Sequence, residues 1–178
     1  MIDWKTLAEK VGSLKGGNEF GSDAFALKAI EALIGEQSIR EAVDYYIQGE
    51  PGSELARSVI RQIRPKSAMD YCYEIYKNDS NLEHRRMAIE LLRVAADHNV
   101  VPWIEEFLSD DDPAIRTWGF GIIDQLLWSE LVKEAEVSHL IVLAEKAADE
   151  NLLENIEFVK SYLKARKEHE ELLEGQET

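Results

Sequence analysis

The feature that most constrains the fold is a series of short segments in which apolar residues recur every three to four positions. In one of them, Ile115, Gly119, Ile122 and Leu126 follow at this spacing after Asp112, a residue type that caps helix N-termini. About ten such segments can be distinguished, and the connections between them are short and carry Gly, Pro, Ser, Asn or Asp. No segment shows sustained alternation of period two. The sequence therefore predicts an all-α chain of about ten helices.

Helix ends are indicated by glycines. The first helix is predicted to include Trp4 and Leu14 and to end at Gly16-Gly17, and the second and third end at Gly35 and Gly49. Connections of a few residues make successive helices antiparallel neighbours. The chain has 178 residues, 45% of them hydrophobic, and no long linker. We therefore expect a single domain over residues 1–178, with about 165–178 as a charged, fraying end of the last helix.

The helical segments also repeat. The small or central positions Ala29, Ile60, Ala88 and Gly119 align when the even-numbered segments are overlaid, and they are separated by 31, 28 and 31 residues. A near-constant period with one helical hairpin per unit is typical of an α-solenoid. The small residue is expected to let the two helices of a hairpin approach closely.

One unit carries a recognisable motif. The run Asp112-Pro113-Ala114-Ile115-Arg116, followed by Gly119 and Ile122-Ile123, resembles the second helix of a HEAT repeat. Residues 81–95 are a weaker match, with His84 where the family prefers valine, and Gly119 stands where it prefers alanine. The resemblance implies five antiparallel HEAT-like hairpins in a short curved α-solenoid that binds proteins, less often nucleic acids. A plain helical bundle remains the alternative.

No pattern points to catalysis. The four histidines have no metal-ligand spacing, no phosphate-binding glycine loop is present, and the single cysteine, Cys72, is best interpreted as a buried structural thiol. Asp110-Asp111-Asp112 is better explained as a helix cap than as a metal site. We therefore expect no cofactor, no metal and no enzymatic activity. An enzyme on a HEAT scaffold would need a pocket with convergent polar groups.

Charge indicates the kind of partner. The formal net charge is -15, which repels nucleic acid and anionic membrane surfaces and attracts a basic protein. The alternative is that the charge serves solubility alone. The first residues do not form a signal peptide, and no apolar run approaches the roughly 20 residues that span a bilayer. A cytoplasmic protein, monomeric or weakly dimeric, is expected.

The functional hypothesis concerns a surface. Residues predicted to project outward from the repeat helices, carboxylates beside aromatic rings, form the expected partner-binding set: Glu31, Glu90, Asp97, Phe120, Asp124, Trp128 and Glu157. Aromatic side chains supply contact energy while carboxylates steer a basic partner. We expect a non-catalytic module that neutralises a basic protein, as an immunity protein does to a nuclease-type toxin. The alternative is a scaffold or adaptor that binds a peptide or subunit in a concave groove.

Overall fold

The protein is all-α, as predicted. The computed structural model describes residues 1–147 and 150–174, and the chain is 79% helical. Within the described residues there are ten α-helices, one 3-10 turn and one very short β-hairpin. The helices are α1 (Trp4–Val11), α2 (Asp23–Ile34), α3 (Glu36–Ile47), α4 (Ser53–Ile63), α5 (Lys66–Asn78), α6 (Leu82–Ala95), α7 (Val101–Leu108), α8 (Pro113–Trp128), α9 (Glu134–Ala147) and α10 (Glu150–Glu174). The hairpin strands are β1 (Leu14–Lys15) and β2 (Asn18–Glu19), and the 3-10 turn is His98–Val100.

The chain divides into two compact units. The first is Met1–Ala95 and the second begins at Ala96. Each is described by itself below. The single domain expected over residues 1–178 stays a prediction.

The β-hairpin corrects the predicted end of the first helix. Gly12, with φ of 87°, adopts the left-handed conformation and ends α1, and its amide donates to the carbonyl of Ala8. Leu14 therefore lies in β1, where it pairs with Glu19 of β2. Gly16 and Gly17 both have positive φ, as a tight two-residue hairpin turn requires. The glycine pair closes a hairpin and does not follow a helix directly.

The core of the first unit is formed mainly by α3, α5 and α6. α5 packs along α6, and α3 contacts α4, α5 and α6. Val43, Met69, Cys72 and Leu92 are almost completely buried between these helices. α2 differs from them, since none of its residues is fully buried. α2 contacts α4, and α4 contacts α6. The curved solenoid expected for the whole chain stays a prediction.

In the second unit, α8 is the central helix. It packs against α7, α9 and α10. A Cβ atom added to Gly119 would lie 2.6 Å from Cβ of the fully buried Phe107 on α7. The close approach expected at Gly119 is thus present here, and it leaves no room for a larger side chain at this position.

The start of α8 is held by the aspartates that precede it. The Asp112 side chain accepts hydrogen bonds from the amides of Ala114 and Ile115, both at 3.1 Å. Arg116 donates from one nitrogen to the carbonyls of Asp110 and Asp111, each at 2.9 Å. The predicted cap is confirmed, and the arginine binds carbonyls of the loop before its own helix.

α10 is the longest helix, with 25 residues. Leu152, Ile156 and Val159 are buried against the rest of the unit. Beyond Leu163, every side chain of α10 that the structure describes is exposed. The charged end predicted at about 165–178 is helical as far as Glu174, and residues 175–178 lie outside the described part of the chain.

Candidate protein-binding surface

Glu31, one of the residues predicted to face a partner, caps a neighbouring helix. Its carboxylate accepts hydrogen bonds from the amides of Lys66 and Ser67 at 3.2 and 2.9 Å, and from the Ser67 hydroxyl at 2.7 Å. These amides belong to the first turn of α5, whose N–H groups have no partner within the helix. The position of Glu31 is thus explained by packing within the first unit.

Glu90 lies in a buried polar network. Its side chain is only 12% exposed and accepts hydrogen bonds from Arg57 at 3.0 Å, from Arg93 at 3.3 Å and from the Tyr46 hydroxyl. Burial acts to raise the pKa of Glu90, but the hydrogen bonds from Arg57 and Tyr46, together with the positive charges of Arg57 and Arg93, outweigh it, so that the pKa is lowered. Burial and the same carboxylate raise the pKa of Tyr46. Glu90 is therefore an internal anion, and we remove it from the proposed surface.

Asp97 and Phe120 also have internal roles. Asp97 caps the 3-10 turn by accepting from the amide of Asn99 at 2.8 Å. Phe120 has no exposed surface and is one of the largest fully buried side chains. This placement corrects the expectation that Phe120 faces a partner. Of the two aromatic residues of α8 expected at the surface, Phe120 thus belongs to the core.

Trp128 is exposed. It is the last residue of α8, and 63% of its surface is accessible. Its ring lies 5.2 Å, centre to centre, from the ring of Tyr162 on α10, with the planes inclined by 42°. Such tilted pairs are favourable beyond their buried area. Asp124, half-buried, lies one helical turn before Trp128 on the same side of α8.

α10 adds a second exposed aromatic ring beside this pair. Phe158 is 61% exposed and lies four residues before Tyr162, so both project from the same side of the helix. We call Trp128, Phe158 and Tyr162 the aromatic patch. Glu157, which the sequence predicts as a partner-binding residue, is exposed next to Phe158.

Ionised side chains surround the aromatic patch. Glu154 precedes Phe158 by one turn and is exposed. Arg166, one turn after Tyr162, forms an ion pair of 3.5 Å with Glu130, two residues beyond Trp128. Four carboxylates, those of Asp124, Glu130, Glu154 and Glu157, therefore lie near the aromatic patch. The guanidinium of Arg166 lies there as well and is paired with Glu130.

The charge of the protein is concentrated in the unit that carries the patch. Residues 1–95 contain 15 acidic and 13 basic residues, which gives a net charge of -2. Residues 96–178 contain 20 acidic and 7 basic residues, which gives -13. The strong acidic character is thus a property of the second unit alone.

The position of Tyr162 and the unequal charge of the two units do not follow from helical periodicity, although the sequence carries a signal for each. Tyr162 fits the helical spacing of α10, which alone would suggest a core position. The buried stripe, however, is Leu152, Ile156 and Val159, and Phe158 and Tyr162 form a second stripe beside it, four residues apart. The unequal charge of the two halves is likewise visible by counting along the chain.

Other chemistry finds little support in the described residues. Among residues 1–147 and 150–174, no group of three or more His, Cys, Asp or Glu side chains is arranged to hold a metal ion. Burial raises the pKa of the Cys72 thiol well above its ordinary value, which disfavours the reactive thiolate. In that same part of the chain, none of the helices combines the length and the apolarity needed to cross a bilayer.

Comparisons of the chain with known protein families, with curated proteins and with solved structures found no match.

Proposed function

We propose that this chain is a non-catalytic protein-binding module that uses the aromatic patch and its carboxylates to bind and neutralise a basic protein. The observation that carries the proposal is the exposed Trp128, in a tilted ring pair with Tyr162 and near Phe158, within a unit of net charge -13. Of the residues expected from the sequence, Asp124, Trp128 and Glu157 belong to this surface.

The aromatic patch supports binding of a protein partner. Trp and Tyr are the residue types most enriched at the energetic centres of protein interfaces, because they bury large apolar areas and lose little rotamer entropy. A pair of rings already in contact is also pre-organised, so that less order has to be imposed when a partner docks.

The carboxylates support a basic partner. A unit of charge -13 speeds the approach of a cationic protein and repels nucleic acid and anionic lipid. A protein that itself binds nucleic acid must carry a positively charged binding site, and the acidic surface of another protein can occupy that site. Neutralisation of a nuclease-type toxin in the cytoplasm, as immunity proteins do, is the form of the proposal that this chemistry favours, on a HEAT-like arrangement of hairpins.

Binding to basic proteins encoded beside this gene tests the proposal. We expect a complex that weakens when NaCl is raised from about 50 to 500 mM, since screening shortens the reach of charges. Trp128→Ala should weaken binding by about 30-fold or more, as the loss of a central aromatic side chain does. A nuclease partner should lose its activity in the complex.

The matched control is Trp4→Ala. Trp4 is 64% exposed, almost the same as Trp128, but belongs to the first unit. We expect this variant to bind as the unchanged protein does. Equal losses from both substitutions, or no complex with any basic partner at low salt, would refute the proposal. Binding of an uncharged or acidic partner with no salt dependence would instead favour the adaptor hypothesis.

A further inference from the structure

A group of arginines lies where α4 meets α6, two helices of the first unit that contact each other. Arg57 on α4 and Arg93 on α6 donate to the same oxygen of Glu90, at 3.0 and 3.3 Å. Two guanidinium groups from different helices are thus brought together on one carboxylate. Arg61 follows Arg57 by one turn, so both side chains project from the same side of α4. We call Arg57, Arg61 and Arg93 the arginine cluster.

Glu90 holds two of these arginines from the inside. Its other oxygen accepts a hydrogen bond from the Tyr46 hydroxyl on α3, and its side chain is buried. The side chains of Arg57 and Arg93 are 23% and 28% exposed, so each is fixed at its inner side and still reaches the surface. Positioning of this kind favours ligand binding, because a ligand then does not have to order long, mobile side chains.

Arg61 differs from the other two arginines, since the fold does not use its charge. Its side chain is exposed, and within residues 1–147 and 150–174 its guanidinium has no hydrogen bond or ion pair. The residues three and four positions away are Arg57, Ser58, Arg64 and Pro65, so no carboxylate of its own helix lies beside it. Arg61 therefore adds a cation to the cluster without contributing to the packing of the unit.

The arginine cluster carries a positive charge. Three guanidinium groups against the carboxylate of Glu90 leave a charge of +2. Glu54 lies 3.9 Å from Arg57 and is 78% exposed, and the charge is still +1 when Glu54 is counted. The cluster is thus suited to an anion, which is the opposite of the aromatic patch.

We propose that the arginine cluster binds a phosphate group, as free phosphate or as a phosphate monoester. A guanidinium presents several N–H donors in a fixed plane, which suits phosphate and carboxylate oxygens. Phosphate is favoured here because the donors come from three side chains on two helices, and tetrahedral oxygens can accept from more directions than a planar carboxylate. A phosphate monoester also carries a charge of about -1.5 to -2 at neutral pH, which balances the cluster.

Nuclear magnetic resonance titration of the ¹⁵N-labelled full chain tests this proposal. Sodium phosphate at pH 7, with NaCl adjusted to keep the ionic strength constant, should shift the amide signals of residues 57–61 and 90–93 until they saturate. We expect a dissociation constant of about 1–10 mM. O-Phosphoserine is titrated in the same way, and the tighter binder of the two identifies the free ion or the monoester as the better ligand. Acetate should bind at least about fivefold more weakly than phosphate.

Arg61→Ala should raise the phosphate dissociation constant at least about fivefold, because one charge-assisted contact is lost. Its unfolding in urea should match that of the unchanged protein, which separates the loss of a ligand contact from a loss of structure. Lys28→Ala is the matched control, since it removes one positive charge from an exposed position of α2 in the same unit. We expect Lys28→Ala to bind phosphate as the unchanged protein does.

Three results would each overturn the proposal. They are the absence of saturable shifts up to about 50 mM phosphate, binding of acetate as tight as that of phosphate, and equal weakening by Arg61→Ala and Lys28→Ala. Trp128→Ala should leave phosphate binding unchanged, because the aromatic patch belongs to the second unit. The titration therefore bears on the arginine cluster alone and leaves the proposed binding of a basic protein to its own test.

Discussion

Glu90→Gln removes one charge from the interior of the first unit and leaves the size of the side chain unchanged. Glu90 accepts hydrogen bonds from Arg57 and Arg93 and from the Tyr46 hydroxyl, contributed by α4, α6 and α3. The neutral amide offers one oxygen in place of two, and its NH₂ group faces donors. The substitution therefore tests whether the buried anion stabilises the fold.

The magnitude follows from the contacts. A hydrogen bond to a charged group contributes about 1.5–3 kcal/mol and a neutral one about 1 kcal/mol. Two arginine contacts are weakened, but the side chains of Arg57 and Arg93 are 23% and 28% exposed, so water solvates part of the charge left behind. We expect the free energy of unfolding to fall by about 2–3 kcal/mol, less than the 3–5 kcal/mol lost when a fully buried pair is broken.

The effect should depend on pH in a defined direction. The pKa of Glu90 is lowered in the folded protein: burial opposes ionisation, and the hydrogen bonds from Arg57 and Tyr46 and the charges of Arg57 and Arg93 together more than offset it. A lowered pKa gives stabilisation that is complete above the unfolded value, about 4.3, and is lost as the pH falls through the folded value. The difference between the unchanged protein and Glu90→Gln should be constant from about pH 8 to 5 and narrow below about pH 4.

Urea unfolding followed by far-ultraviolet circular dichroism measures this difference. Glu54→Gln is the control, because Glu54 approaches the same Arg57 at 3.9 Å but is 78% exposed. Such a surface pair should contribute less than about 0.5 kcal/mol. The reasoning is refuted if both variants lose the same stability, or if the loss caused by Glu90→Gln persists unchanged at about pH 3.

Two further predictions concern single positions. Gly119→Ala gains about 1 kcal/mol of helix propensity, but its Cβ would lie 2.6 Å from Cβ of Phe107. Overpacking of this kind costs about 1–3 kcal/mol, so the free energy of unfolding measured in urea should fall by about 1 kcal/mol. Gly21→Ala, in open space, should be neutral or slightly stabilising, and the opposite order of the two variants would contradict this account. Cys72 is fully buried and the pKa of its thiol is raised. A thiol reagent at pH 8 should therefore label Cys72 only as fast as the first unit opens. Labelling of the folded protein that is complete within the reagent's ordinary reaction time would contradict this prediction.

The helices could be predicted because their ends are marked by local residue types, such as capping residues and glycines. Asp112 caps the helix that it was expected to cap, Ser22 is a residue of the same capping type and caps α2, and Gly35 separates α2 from α3. The β-hairpin was missed because strands of two residues are too short to show alternation. Gly16-Gly17 was the available signal, since adjacent glycines permit the positive φ angles of a two-residue turn.

The candidate surface was predictable only in part. Trp128 was predicted to project outward from its helix, and it is exposed. Phe120 and Glu90 were misplaced for a physical reason: spacing defines which residues share a face of a helix, whereas burial depends on which helices cover that face. α8 is covered by three other helices, so few of its positions remain at the surface. The contact between the rings of Tyr162 and Trp128 joins two segments that are distant in the sequence, and periodicity carries no information about such a contact.

The exposed end of α10 implies that stability is graded along this helix. Residues 164–173 form almost three turns in which no described side chain is buried, and a free helix of that length is marginal in water. Its hydrogen bonds should therefore open by fraying, at a free energy far below that of global unfolding. Amide exchange should slow progressively from the last turn towards Val159, where the helix becomes anchored. This segment would respond to temperature and acidity before the packed helices do, and its helix content would report local conditions while the rest of the unit stays folded.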